Sequence, residues 1–483
     1  MPDPTHRAGD AADRRGLHPV ALLLAWSSVV VLLWSGFQIW LKEPILTRLH
    51  RADPPQPTVL FVVLDTVRAD HLSLCGYPRQ TSPVLSALVE GGAAHTCRAY
   101  APGSWTFPSH ASYFTGMPVT AHGAHFVPEG TDIRQLLIRP LRDDLQTLAE
   151  DYAARGYQTV GLSGNPVLQP ASGLDQGFAT WRVAEGFGPW YGGALEAEVQ
   201  RALREADPDQ PLFLFVNIAD AHDPWFPIPE GNGLVPARDD ILVYFETDPG
   251  TDRILPDGPW QRYVAGAMSP AERDTFLTRL TDHYDWALRG ADETLGRVLE
   301  QVEAHGWARA GMRLIVVSDH GEFLGEHQLA RHGRYLWEPN QRVPLLYWER
   351  DATGATTAGP DLDAPMSALE AYDLALHGRR ARPHRPVEAV AFPDATWQRI
   401  SEGRVGKETS AALWHGDEKI VWVDGDITAY DLAAEPGEEI GDEAGASGAL
   451  EELVERTLRA RDRHVEDADP ALIEALRAAG YVE

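Results

Sequence analysis

Three largely apolar runs constrain this chain more than any other feature. They are Thr58–Leu64 (TVLFVVL), Leu212–Ile218 (LFLFVNI) and Arg313–Ser318 (RLIVVS). None alternates polar with apolar positions. A strand that is apolar on both faces must be covered on both, which is the condition of a central strand in a largely parallel sheet. Helical patterns occupy 81–90, 143–155 and 271–305, and a further short strand is expected over Thr159–Ser163. Strands alternating with helices predict a doubly wound α/β core. Each apolar run also ends in polar residues. Asp65 follows the first, Asp220-Ala-His222-Asp223 the second, and Asp319-His320-Gly321-Glu322 the third. Ligands of open α/β sheets bind beyond the C-terminal ends of the strands. One strand-end acid reads equally well as a helix cap or a turn. Three in one α/β pattern make a candidate site.

A fourth stretch bears on the same site, Ser104-Trp-Thr106-Phe-Pro108-Ser-His110-Ala-Ser112. A short helix is expected from Pro108, PSHASYFT, closed by Gly116, because proline suits the first helical position and glycine the residue past the end. Thr106 then lies at or just before a helix N-terminus, where free N–H groups and the helix dipole favour an anion. Taken alone, a threonine there reads as a helix cap. Together with the three strand ends it reads as a nucleophile.

The two ends of the chain differ from this middle. Residues 1–18 are a polar tail. No charged residue occurs from Pro19 to Leu41, a length that spans a bilayer as one helix. Trp26, Trp34 and Trp40 add the aromatic residues common near membrane interfaces. A cleaved signal peptide is the alternative, but no small-x-small site closes the stretch, so an uncleaved anchor is expected. Arg7, Arg14 and Arg15 before it are balanced by Lys42, Arg48 and Arg51 after it, which leaves orientation unset. Residues 42–57 are a linker ending in DPPQP. Residues 58–383 form the expected catalytic domain. Within it, 228–262 is rich in Gly, Pro and Asp and reads as an excursion or lid. From 384 to 483 short strand-like pieces with Asp-Gly and His-Gly turns predict a small antiparallel sheet, followed by helices over 449–463 and 470–479.

The formal net charge of -29 argues against nucleic acid as a partner, since phosphate backbones demand basic patches. The two cysteines, Cys75 and Cys97, form no CxxC pair, which argues against a zinc-thiolate or thiol redox motif. They read as small buried hydrophobes or as a disulfide, and the spacing does not decide between the two.

Several stretches together resemble the sulfatase family of the alkaline phosphatase superfamily. They include VLDTVRADHLSLCGY (63–77), WTFPSHASYFTG (105–116), ADAHDPW (219–225), VVSDHGEFLGEHQL (316–329), HGRYLWEPNQRVPLL (332–346) and the closing LRAAGYVE (476–483). The match runs from about residue 58 to the C-terminus. It implies an alkaline-phosphatase-like sandwich, with a central, mostly parallel sheet flanked by helices and a small C-terminal α+β subdomain. The family usually carries Cys-x-Pro-x-Arg at the nucleophile, the cysteine being converted to formylglycine. Here Thr106 and His110 stand in those places, and neither cysteine lies in such a motif. That departure resembles the threonine-nucleophile members of the superfamily.

The resemblance implies one divalent ion (Zn, Mn or Ca) held by Asp65, Asp319, His320 and Thr106, the last being both ligand and nucleophile. Thr66 stands where a second acid often follows the first, which favours one ion over two. His222 matches the family's histidine after the central strand, as acid or oxyanion partner. Arg331 and His332 fall near the family's lysine or histidine. His110 is the candidate to replace the lost arginine. Asp70, His71, Glu322, Glu326 and His327 are set aside as structural. The expected activity is that of a membrane-anchored, metal-dependent hydrolase or transferase acting on anionic esters, phosphate or sulfate. Two rivals remain: a true sulfatase using unmodified threonine, and a pseudoenzyme that binds an anionic group or partner. Against the second, none of Asp65, Thr106, Asp319 or His320 is missing.

Overall fold

The computed structural model describes residues 56–128, 136–184, 191–240, 258–333, 335–363, 365–381, 383–392, 408–434, 436, 438, 441–445 and 447–462. The anchor expected over 19–41, the tail before it, most of the linker and the helix expected over 470–479 lie outside these residues. So do residues 241–257 of the expected lid. Among the described residues no helix is long and apolar enough to cross a membrane.

The three apolar runs become neighbouring strands of one eight-stranded sheet. Its strands are β1 (Thr58–Leu64), β2 (Ala94–Tyr100), β3 (Gln158–Ser163), β4 (Thr180–Val183), β5 (Leu212–Ile218), β6 (Met312–Ser318), β7 (Arg342–Arg350) and β8 (Met366–Ser367), in the order β8-β2-β7-β6-β1-β5-β3-β4. Both partners of β1 are parallel to it, and Leu64 is level with Ile218 on one side and Ser318 on the other. Parallel pairing in this register sends all three polar ends out along one edge of the sheet. β7 is the antiparallel member, between β6 and β2.

Alternate residues of β1 serve two cores, as the period of two requires. Val59, Phe61 and Val63 pack against one face with helix α2 (Thr106–Thr115), α3 (Leu148–Ala154) and α6 (Glu370–His377). Leu60, Val62 and Leu64 pack on the other with α1 (Pro83–Glu90), α4 (Gly193–Glu205) and α5 (Pro270–Ala304). The 35-residue α5 starts at a capping box, Ser269 with Glu272, and Pro270 is its first residue. α3 is shorter than the 143–155 expected. Thr147 and Glu150 form a capping box there, and Asp144 instead pairs with Arg142 before the helix.

From Pro57 onward the chain is one compact unit. Its C-terminal part forms the expected antiparallel sheet, β9 (Val387–Ala391), β10 (Ser410–His415), β11 (Glu418–Val423), β12 (Asp426–Asp431) and β13 (Asp442–Glu443), in chain order. Helix α7 (Gly448–Arg461) packs against it. Buried Lys419 of β11 meets Glu338 at 3.4 Å and also pairs with Glu438. Glu438 in turn accepts from the Glu338 N–H at 2.6 Å. A buried cation between two carboxylates ties this sheet to the segment Glu338–Gln341 below the site.

Candidate active site

α2 begins two residues earlier than the proline suggested. Thr106 is its first residue, Trp105 is the N-cap, and Pro108 is third. No side chain caps the helix, so the cap reading of Thr106 does not apply. All ten residues of α2 are buried. Gly116 ends it at φ 66°, and a Cβ there would come within 2.7 Å of the Tyr372 ring. The Asn340 amide and the Gly333 N–H both donate to the Ser104 carbonyl, at 3.1 and 2.9 Å, which fixes the entry to α2.

Thr106 Oγ1 lies 3.2 Å from His320 Nε2. That nitrogen is 3.5 Å from Asp319 Oδ2 and 3.8 Å from Asp65 Oδ1. Asp65, Asp319 and His320 are fully buried, and one ligand atom from each lies within 4.8 Å of the others. His320 Nδ1 donates to the Gly321 carbonyl at 2.9 Å, so Nε2 keeps its lone pair toward the carboxylates. Asp65 Oδ1 and Asp319 Oδ2 accept no hydrogen bond. Two buried carboxylate oxygens without donors are costly unless a cation meets them. Burial, and then repulsion from Asp65, push the Asp319 pKa well above its usual range. Orphaned oxygens, a lone-pair nitrogen and a hydroxyl facing one point fit a divalent ion.

The other expected residues gather round this cluster. His110 Nδ1 donates to the Thr106 carbonyl at 2.8 Å, and Nε2 is 3.5 Å from the Asn217 amide. Burial pulls its pKa down to about 4, and its ring holds the first turn of α2 through that carbonyl. His222 Nδ1 donates to the Asp223 carbonyl at 2.6 Å, and its ring meets that of His332 edge-on at 5.1 Å. His332 lies 4.2 Å from the His320 ring and 3.3 Å from Glu322 Oε2. Its pKa falls well below the usual value through burial and then the neighbouring His320. Arg331 pairs with Asp223 at 3.2 Å, one residue from His332 but turned to a different partner. Of the two, His332 is the one beside the cluster.

Glu322, set aside above, is fully buried and orients His332. Asp70 and Glu326 clamp buried Arg68, and His71 pairs with Asp285. Two asparagines went unnoticed in the sequence. Asn165 and Asn217 both donate to Asp65 Oδ2, at 2.8 and 3.2 Å. The signal for Asn217 was a lone amide inside an otherwise apolar strand, one residue before its end. Asn165 gave none beyond the Asn-Pro turn that it opens.

The sulfatase family model matches residues 57–368. The chain belongs to the sulfatase family. A curated relative, the ulvan-active sulfatase of Formosa agariphila, is 22% identical over 359 residues, 68% of this chain, and the chain spans 61% of that relative's length. Among solved structures, the phosphonate monoester hydrolase of Agrobacterium radiobacter superposes with a TM-score of 0.58 at 18% identity, over 86% of this chain and 97% of that one. A structure holding its substrate D-glucosamine-2-N,6-O-disulfate also reaches 0.58, at 15% identity over 88% of this chain and 98% of that one. These two structures share the α/β fold described above.

Proposed function

We propose that this chain is a membrane-anchored, metal-dependent ester hydrolase with Thr106 as its nucleophile, acting on phosphate-type esters in preference to sulfate esters. The observation that carries the reading is the buried Thr106 hydroxyl, 3.2 Å from His320 Nε2 and beside two carboxylates with unpartnered oxygens. Asp65, Asp319, His320 and Thr106 would hold the ion. A divalent ion there supplies Lewis acidity beside the hydroxyl and positive charge for the ester's outer oxygens.

The chain's own groups do the rest. Thr106 Oγ1 bonds to phosphorus as the ester's alcohol leaves, and its proton passes to solvent. His222, whose Nδ1 donates to the Asp223 carbonyl, is the general acid and base of this reading, acting through Nε2. Nε2 gives a proton to the departing alcohol, then takes one from the water that displaces Thr106 from phosphorus, and the released Thr106 oxygen regains its proton from solvent. An acceptor alcohol in place of that water gives a transferase by the same steps.

The preference for phosphorus rests on how the intermediate is discharged. A formylglycine hydrate expels sulfate by elimination through its second hydroxyl. Thr106 has only one hydroxyl, so its ester must be opened by attack at the central atom. A phosphoryl group also carries more negative charge than a sulfuryl group and gains more from a divalent cation. The competing reading, sulfate hydrolysis by unmodified threonine, has in its favour a relative named a sulfatase and a similar structure that holds a disulfated sugar as its substrate. The test compares kcat/KM on phosphate diesters, phosphonate monoesters and sulfate esters sharing one leaving group, with and without a chelator. The phosphorus esters are expected to be faster, and chelation to stop turnover until metal is restored. A clear sulfate preference overturns the substrate reading, and full activity without metal overturns the mechanism.

A further inference from the structure

Asn165 opens the turn Pro166–Leu168 just past β3 and is buried. Its Oδ1 accepts from the Val167 N–H at 2.9 Å, which turns the donor Nδ2 toward the site. Nδ2 donates to Asp65 Oδ2 at 2.8 Å and stands 3.5 Å from Thr106 Oγ1. Asn217 donates to the same Oδ2 at 3.2 Å, while its own Oδ1 accepts from the Asn165 N–H at 3.1 Å. Asn217 thus holds the Asn165 backbone, and the two side-chain amides share one carboxylate oxygen. Asp65 Oδ1 is left with no hydrogen bond. Asp319 is divided the same way by backbone donors. Its Oδ1 takes the N–H groups of Thr66 and His320, at 3.2 and 3.0 Å, and its Oδ2 takes none.

We propose that Asn165, with Asn217 behind it, is a positioning residue that holds Asp65 to a single donor oxygen, making a four-donor centre that selects zinc over calcium. The four donors are Asp65 Oδ1, Asp319 Oδ2, His320 Nε2 and Thr106 Oγ1. The proposal rests on the metal reading above. Zinc is satisfied by four nitrogen, oxygen or sulfur donors. Calcium takes roughly six to eight oxygens and often uses carboxylates through both. For Asp65 to offer its second oxygen, at least one of the two amide hydrogen bonds must break. Thr66 brings a neutral hydroxyl to the neighbouring place and no third carboxylate.

The test uses the full chain, stripped of metal and then reloaded. The visible spectrum of the cobalt(II) form reports coordination number, because four-coordinate cobalt absorbs far more strongly than six-coordinate cobalt. Zinc and calcium affinities are measured against a chromophoric chelator. Wild type is expected to show the strong four-coordinate bands and to prefer zinc. Asn165→Ala removes the amide. Asn165→Asp keeps the acceptor for the Val167 N–H and puts a carboxylate oxygen, which repels Asp65 Oδ2, in place of the donor. Both variants are expected to lose band intensity, to bind zinc about 10–100-fold more weakly, and to narrow the zinc-over-calcium ratio. A weak six-coordinate spectrum or a calcium preference in wild type overturns the proposal. So does either variant folding with the wild-type spectrum and ratio. Failure of wild type to bind any of the three ions overturns the metal reading itself, a distinguishable result.

Discussion

His122 ends the short helix Val119–His122 and is 1% exposed, with both ring nitrogens in use. Nε2 donates to Ser112 Oγ at 2.9 Å, and Nδ1 accepts from the Ala124 N–H at 3.0 Å. Burial, and then His125, pull its pKa down to about 3. A neutral imidazole held this way stabilises the fold fully above the unfolded pKa of about 6.5, and the stability is lost as pH falls toward 3. The slope from one such proton is at most about 1.4 kcal/mol per pH unit. His122→Gln keeps a donor for Ser112, cannot gain a proton, and orphans the Ala124 N–H at a cost of about 1–3 kcal/mol. The variant should therefore be less stable at pH 7.5, with the gap to wild type closing as pH falls to 5. Urea midpoints at the two pH values measure it, and a gap independent of pH counts against the linkage. At this scale the sequence was readable where polar side chains gather at strand ends, as with Asp65, Asp319 and His320. It was opaque where a side chain meets the cluster through another side chain, as with Asn165 and Glu322, because their partners lie 100 and 10 residues away in the chain.

The segment that follows β1 is tied to β2 by a disulfide between Cys75 and Cys97, with Cα atoms 5.8 Å apart. It uses both cysteines of the chain. Closing a 22-residue separation is worth about 3 kcal/mol in the loop-entropy account. Cys75→Ala with Cys97→Ala should lower stability by roughly that amount under oxidising conditions, and the difference should vanish in reductant. Equal stability of the two proteins without reductant means that the bridge does not form. Legibility also differed between elements. β1, β5 and β6 announce themselves because both faces are buried. β2 (AHTCRAY) and β7 (RVPLLYWER) do not. β2 mixes polar and half-buried positions, and β7 begins and ends in charged residues, so neither shows a clean period. The helix over 143–155 was drawn too long because the cap at Thr147, and not the preceding polar run, decides where α3 starts.

For the whole molecule, the α/β core and the C-terminal antiparallel sheet were both expected from the chain's changing texture, and the family model covers the first of these. Where the protein works in the cell is a further proposal. We place the catalytic part outside the cytoplasm, held by the apolar stretch 19–41. The support is the disulfide, since such bonds persist in oxidising compartments. Protease added to intact spheroplasts should then remove the catalytic part while leaving cytoplasmic proteins whole. A part protected until the membrane is broken contradicts the placement.

All of this turns on one hydroxyl. The most direct measurement is kcat/KM for Thr106→Ala and Thr106→Ser beside wild type, on whichever ester wild type turns over. The account predicts that the alanine variant loses roughly a thousandfold or more, while serine, which keeps a hydroxyl at the head of α2, retains a measurable fraction. An alanine variant that turns over at close to the wild-type rate contradicts it, because Thr106 is then not the nucleophile.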